Sequence, residues 1–131
     1  MREKPLILVV DDEPQLLEIM ATKLGASGFD PIVAHNGKEA IDAAHKLQPD
    51  LILMDIKMPG ETGTDAALAI KQDPATKDIR IAFLSSMTDP WPRTSGDRDN
   101  LAKALGMEDY IDKTGDLNAV VAKVREILAR K

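Results

Sequence analysis

The sequence contains no cysteine, no long hydrophobic run and no excess of basic residues. The absence of cysteine excludes a disulfide framework and a thiolate metal site. Apolar runs such as Leu6–Val10 reach 5 residues, far short of the ~20 that a membrane-spanning helix needs. The first residues also lack the apolar core of a signal peptide. We therefore expect a cytoplasmic protein with no membrane insertion.

Acidic residues outnumber basic ones by 22 to 17, which gives a formal charge of -5. Because binding to nucleic acid requires a basic surface that neutralises phosphates, we expect no direct contact with nucleic acid. A chain of 131 residues that is 44% hydrophobic can form a stable hydrophobic core without disulfides or a structural metal. The sequence therefore predicts a single domain over residues 1–131, with no output domain in this chain.

Short apolar segments alternate with segments of helical periodicity. The predicted strands are residues 6–10, 29–34, 51–54, 79–84 and 109–111, and the predicted helices begin at Pro14 and Asn36, cover 62–72 and 97–105, and begin again at Asp116. Continuous aliphatic runs are typical of parallel strands buried on both faces, whereas Pro31 places the second strand at an edge. The pattern predicts a doubly wound α/β sandwich with five parallel strands.

Polar side chains follow the predicted strands at their carboxyl ends, where ligands bind in an open parallel sheet. They are Asp11, Asp12, Asp55, Ser85, Ser86 and Lys113. Three carboxylates would repel one another unless a cation joined them, and oxygen ligands without His or Cys indicate Mg²⁺. With the cation bound, one carboxylate could attack phosphorus while Lys113 and Ser85 hold the transferred oxygens.

Each of these residues also has an ordinary structural interpretation. Asp12 could cap the helix that begins at Pro14, and Asp55 could belong to a turn. Ser85 could be a loop hydroxyl and Lys113 a solvated charge. The two histidines, His35 and His45, are expected to be surface residues without a functional role.

Four motifs carry a resemblance to a known family. Residues 9–14, 53–59 with Gly63, 84–86 and 109–113 resemble, in order, the CheY-like receiver domains of two-component response regulators. The resemblance implies a flavodoxin-like fold with strand order 2-1-3-4-5. It also implies that this phosphoacceptor switch takes a phosphoryl group from a sensor histidine kinase or a histidine phosphotransfer protein and modifies only itself, so we do not expect a turnover enzyme.

The resemblance assigns a role to each matching residue. Asp55 is the expected phosphoacceptor, and the expected Mg²⁺ ligands are Asp12, Asp55 and the main-chain carbonyl of Lys57, with Asp11 acting through a water. Lys113 and Ser85 would bind the phosphoryl group, and Ser85 with Tyr110 would form the switch. A downstream protein would dock on the surface formed by the predicted helix 97–105, strand 109–111 and the last helix.

Two features depart from the family pattern, and two other functions remain to be weighed. Thr114 follows Lys113 where the family usually has proline, and the segment between Ser85 and Tyr110 is longer than usual. A receiver-like module that binds partners without phosphorylation is one alternative. An aspartate-nucleophile phosphatase is another, but Lys57 stands where that mechanism needs a second aspartate.

Overall fold

The computed structural model describes residues 3–55, 63–85, 109–112 and 116–129. A five-stranded sheet lies at its centre. Its strands are β1 Leu6–Val10, β2 Asp30–Ala34, β3 Leu51–Asp55, β4 Arg80–Ser85 and β5 Asp109–Asp112. All neighbouring strands are parallel, in the order β2-β1-β3-β4-β5. The predicted flavodoxin-like architecture and strand order are therefore confirmed.

Helices cover both faces of the sheet. They are α1 Pro14–Ala26, α2 Gly37–Leu47, α3 Gly63–Gln72 and α4 Leu117–Ala129. The limits of the described elements agree with the sequence prediction to within one or two residues. The predicted helix 97–105 lies outside the described residues. No helix in the described ranges is long and apolar enough to cross a bilayer.

Two apolar clusters, one on each face, hold the layers together. Leu8 and Met54 point toward α2 and α3, whereas Ile7 and Leu53 point toward α1 and α4. Successive side chains of a strand point to opposite faces, so a strand covered on both faces must be apolar throughout. This explains why all five residues of β1 and of β3 are buried.

Strand β2 forms one edge of the sheet, as Pro31 predicts. Asp30 donates its N–H to Pro5 O at 2.9 Å, and Ala34 O accepts from Asp11 N at 3.2 Å. Residues 30 and 34 therefore face β1, and Pro31 faces outward. Its missing N–H removes no ladder hydrogen bond, which is why proline is tolerated at this position.

The chain order places a functional edge between β1 and β3. From β1 the chain passes through α1 to β2 on one side, and α2 then returns on the other face to β3. The strand order thus reverses between β1 and β3, and their carboxyl ends lie side by side. In open α/β sheets this reversal point opens a crevice where ligands bind.

Candidate functional site

Three carboxylates meet at the carboxyl ends of β1 and β3. Asp11 and Asp12 directly follow β1, and Asp55 is the last residue of β3. One carboxylate oxygen from each residue lies within 4.8 Å of the others. The structure therefore brings together the three acidic residues that the strand ends single out.

The burial of this acidic cluster is unusual. Asp11 is 0% exposed and Asp55 is 1% exposed, whereas Asp12 is exposed to solvent. The other buried polar side chain in the described ranges is Thr76, whose Oγ1 donates to Ile70 O at 2.6 Å. Removing a carboxylate from water is costly unless other interactions compensate. Two buried carboxylates side by side therefore mark this edge as the functional region.

Main-chain groups hold Asp11 in place. Its N–H donates to Ala34 O at 3.2 Å, and its Oδ1 accepts a hydrogen bond from Glu13 N–H at 3.0 Å. Glu13 is the N-cap residue of α1, and no side chain caps this helix. The alternative in which Asp12 caps α1 is therefore wrong. The Asp12 carboxylate belongs to the acidic cluster instead. The sequence did not predict this hydrogen bond from Glu13, although aspartate often accepts from the backbone N–H two residues further along the chain.

The donor set fits a hard divalent cation. Within the described ranges, Asp11, Asp12 and Asp55 form the one group of three side chains placed closely enough to bind a metal ion. All three would bind it through carboxylate oxygens. At an effective dielectric of about 20, two carboxylates at this separation repel by roughly 3 to 4 kcal/mol. A cation that accepts carboxylate oxygens, such as Mg²⁺, would relieve that repulsion.

The structure places the backbones of two further candidates. Leu84 is the register partner of Asp55, so Ser85 ends β4 at the same edge of the sheet. Tyr110 lies in β5 opposite Phe83. The structure does not describe the side chains of Ser85 and Tyr110. Lys57 and Lys113 lie outside the described residues. Their roles stay predictions.

His35 directly follows β2 and pairs with Glu39 in the first turn of α2. Glu39 Oε1 accepts from His35 N–H at 3.0 Å and lies 3.0 Å from His35 Nδ1. The hydrogen bond from the His35 backbone N–H is the main reason why the pKa of Glu39 lies below its ordinary value of 4.5. His45 Nε2 lies 2.8 Å from Asp73 Oδ2. Both histidines are exposed surface residues, as predicted.

Comparison with known sequences identifies the family. The family model described as "Response regulator receiver domain" matches residues 7–125. The chain is 35% identical over 124 residues to DNA-binding response regulator MtrA of Mycolicibacterium smegmatis, covering 95% of this chain and 50% of that protein. It is 34% identical over 126 residues to phosphate regulon transcriptional regulatory protein PhoB of Pseudomonas aeruginosa, covering 95% and 52%. The chain thus spans about half the length of these relatives.

Solved structures show the same fold. The chemotaxis response regulator CheY4 of Vibrio cholerae aligns with a TM-score of 0.83 at 23% identity, over 95% of this chain and 98% of that one. A putative response regulator from Chloroflexus aurantiacus aligns with a TM-score of 0.83 at 28% identity, over 97% and 99%. The two alignments cover nearly the whole of this chain and of the solved chains. The chain belongs to the response regulator receiver domains of two-component systems.

Proposed function

We propose that this receiver domain accepts a phosphoryl group on Asp55 in a Mg²⁺-dependent reaction and signals through altered contacts with other proteins. The observation that carries the proposal is the clustering of Asp11, Asp12 and Asp55 within 4.8 Å at the point where the strand order reverses. A module that only binds partners has no need for repelling carboxylates at this edge. Membership of the receiver family supports the same function.

The reaction is a displacement at phosphorus. A carboxylate oxygen of Asp55 attacks the phosphorus of the donor, a new O–P bond forms, and the bond from phosphorus to the donor breaks with its electron pair leaving on the donor. For a phosphohistidine donor the leaving group is an imidazole, which takes up a proton from water. Asp55 is well placed for this attack because the rigid end of β3 fixes its backbone.

The neighbouring residues bind and orient. We infer that Asp12, Asp55 and the main-chain carbonyl of Lys57 would hold the cation directly, and that Asp11 would hold it through water. Mg²⁺ supplies positive charge that offsets both the carboxylates and the incoming phosphoryl oxygens. Main-chain hydrogen bonds keep Asp11 pointed toward the cluster.

Three more residues complete the proposed site. Lys113 would pair with the transferred oxygens and Ser85 would donate a hydrogen bond to them. A phosphoryl group adds about -1.5 to -2 charge and strong acceptors, so movement of the Ser85 hydroxyl would open space for Tyr110 to turn inward. Ser85 and Tyr110 would then report phosphorylation to the surface of the domain.

The direct test is phosphorylation followed by intact mass measurement. The wild-type protein and Asp55→Asn are incubated with acetyl phosphate and Mg²⁺, with and without a chelator. We expect one added phosphoryl group on the wild-type protein, and none with Asp55→Asn or the chelator. Asp42→Asn, an exposed aspartate on α2, is the matched control and should be labelled like the wild type.

The outcome also separates the alternatives. Equal labelling of Asp55→Asn would place the phosphoryl group elsewhere. If no donor labels the protein and Asp55→Asn binds partners as the wild type does, the chain is a receiver-like module that binds partners without phosphorylation. Continuous release of phosphate from unrelated phosphate esters would indicate a phosphatase, whereas we propose that the domain acts only on itself.

The partners follow from the family. Response regulators partner with histidine kinases, so we propose a sensor histidine kinase or a histidine phosphotransfer protein as the donor. The absence of cysteine fits a reducing, cytoplasmic setting. Several relatives are named DNA-binding response regulators, but the chain matches only about half their length. That the receiver itself does not contact nucleic acid stays a prediction, supported by its formal charge of -5.

A further inference from the structure

A long-range hydrogen bond links β4 to the end of α4 at the amino edge of the sheet, opposite the acidic cluster. Arg80, the first residue of β4, donates from Nη1 to the main-chain oxygen of Ile127 at 2.6 Å, across 47 positions of sequence. The last carbonyls of a helix have no donor within the helix. A cationic donor is favoured there because that end of the helix carries partial negative charge.

Helix α3 is tied to the same place. Lys71, in its last turn, donates from Nζ to Ile79 O at 2.7 Å and to Lys77 O at 3.2 Å. The start of β4 is therefore held by α3 and in turn holds α4. We call Lys71, Ile79, Arg80 and Ile127 the amino-edge junction.

Strand β4 joins the amino-edge junction to the acidic cluster. It pairs with β3 along its length and with β5, and residues 81–84 are 0% exposed. At one end Leu84 is the register partner of Asp55, and at the other Arg80 is the partner of Leu51. A strand buried and paired on both sides cannot slip without turning its side chains to the wrong face. A displacement near Asp55 should therefore reach Arg80, which lies about 13 Å from Leu84 along the strand.

We propose that Arg80 is a positioning residue that couples occupancy of the acidic cluster to the order of the last turn of α4. The two states are a last turn closed on Arg80 and a frayed last turn. A cation bound with the phosphoryl group would offset the negative charge of the carboxylates and of the phosphoryl oxygens. This would steady the carboxyl ends of β3 and β4 and favour the closed state. This inference rests on the proposed phosphorylation of Asp55.

Arg125 provides a matched control on the same helix. Its Nη2 donates to Ser27 O at 2.9 Å, and its guanidinium lies 5.8 Å from the centre of the Phe29 ring. These contacts fix α4 to the turn between α1 and β2 and do not involve β4. Loss of Arg125 should loosen α4 without breaking the link to the acidic cluster.

The test measures amide exchange in α4 with and without beryllofluoride and Mg²⁺, a phosphoryl mimic. In the wild-type protein we expect the mimic to slow exchange at residues 127–129 by at least about fivefold, the lower end of ordinary allosteric coupling. Arg80→Gln should exchange faster there and lose the effect of the mimic. Arg125→Gln should also exchange faster but keep the effect. Arg80→Met, which keeps an unbranched side chain but has no donor, serves if Arg80→Gln does not fold.

Each outcome decides the inference. An equal effect of the mimic in the wild-type and Arg80 variants would overturn it, and so would an unchanged wild-type helix end despite bound mimic. Binding of the mimic is checked separately by the melting temperature. If the mimic does not bind, the proposed function fails, and the inference is judged on Asp55→Asn without ligand. That change lowers the charge of the cluster and should slow exchange at residues 127–129 only where Arg80 is intact.

Discussion

Asp12 is the exposed member of the acidic cluster, so its replacement tests the cation without disturbing the core. Mg²⁺ at ten times its Kd stabilises the folded state by about 1.4 kcal/mol, which raises the Tm of a domain of this size by roughly 4 to 7 °C. We expect Asp12→Ala to remove most of that rise, because Asp12 is a proposed direct ligand. Thermal unfolding with and without Mg²⁺ measures the effect.

The control for Asp12 is Asp42→Ala, which removes an exposed carboxylate from α2. This variant should respond to Mg²⁺ like the wild type. If Asp12→Ala keeps the full rise, the cation binds elsewhere, and the proposed ligand set is wrong.

Glu39 gives the domain a defined response to acid. Its folded pKa lies below the ordinary value of 4.5, chiefly because the His35 backbone N–H bonds to it. The stabilising effect of ionised Glu39 is therefore fully present above pH 4.5 and is lost as pH falls through the lowered folded pKa. We expect Glu39→Gln to be less stable than the wild type at pH 6 and the difference to shrink below pH 4.5. Urea unfolding at several pH values checks this, and a difference that grows in acid would contradict it.

The sequence predicts the identity of the acidic residues better than their environment. Asp11, Asp12 and Asp55 can be picked out because each follows an apolar run, and parallel strands end at a common edge. The structure adds that Asp11 is buried, that Asp12 is exposed, and that Asp11 accepts a hydrogen bond from Glu13 N–H. These features depend on the local backbone, which the sequence does not specify. Asp12 has two possible roles in the sequence, and only the structure excludes the role of helix cap.

At the scale of elements, α2 has a complete amino-terminal cap. Asn36 Oδ1 accepts from Glu39 N–H at 2.9 Å, and Asn36 Nδ2 donates to Glu39 Oε2 at 3.2 Å. We expect Asn36→Ala to lower the free energy of unfolding by about 1 kcal/mol. Asn36→Ser keeps an accepting oxygen without placing a second carboxylate beside Glu39, and it should cost much less. Chemical denaturation of both variants tests this, and equal losses would show that the cap oxygen is not what matters.

Element positions can be predicted here because their signals are local. Pro14 marks the start of α1, Asn36 the start of α2, and Pro31 the edge strand, and each acts through the backbone of its immediate neighbours. The end of α2 is less regular: Gln48 adopts a left-handed conformation with φ 48°, where glycine is usual. No sequence signal indicates this, because Pro49 alone would suffice to stop the helix.

At the scale of the whole molecule, the strand order could be expected from the resemblance, but the amino-edge junction could not. Alternating strands and helices restrict the topology to right-handed crossovers, and the family motifs then select one order. The hydrogen bond from Arg80 to Ile127 joins residues 47 positions apart. Its acceptor is a main-chain oxygen, which every residue type has, so the identity of residue 127 does not indicate the bond. Pairings of this kind depend on how two elements pack and leave no pattern in a single sequence.

The sheet should make both faces of the molecule unfold together. Ile7 and Leu8 are neighbours in β1, both 0% exposed, yet Ile7 packs toward α1 and α4 and Leu8 toward α2 and α3. Replacing either by alanine should lower the free energy of unfolding by about 2 to 5 kcal/mol. Because both clusters share the same strands, we expect each variant to keep one cooperative transition, seen equally in α2 and α4.

Amide exchange in increasing urea distinguishes one cooperative transition from separate unfolding of the two faces of the sheet. If the faces unfold separately, Ile7→Ala should expose the amides of α1 and α4 at lower urea and leave those of α2 protected, and Leu8→Ala should do the reverse. Ile7→Val is the graded control, with an expected loss of about 0.5 to 1.5 kcal/mol. A common transition in all variants would show that the two apolar clusters unfold as one unit because they share the strands of the sheet.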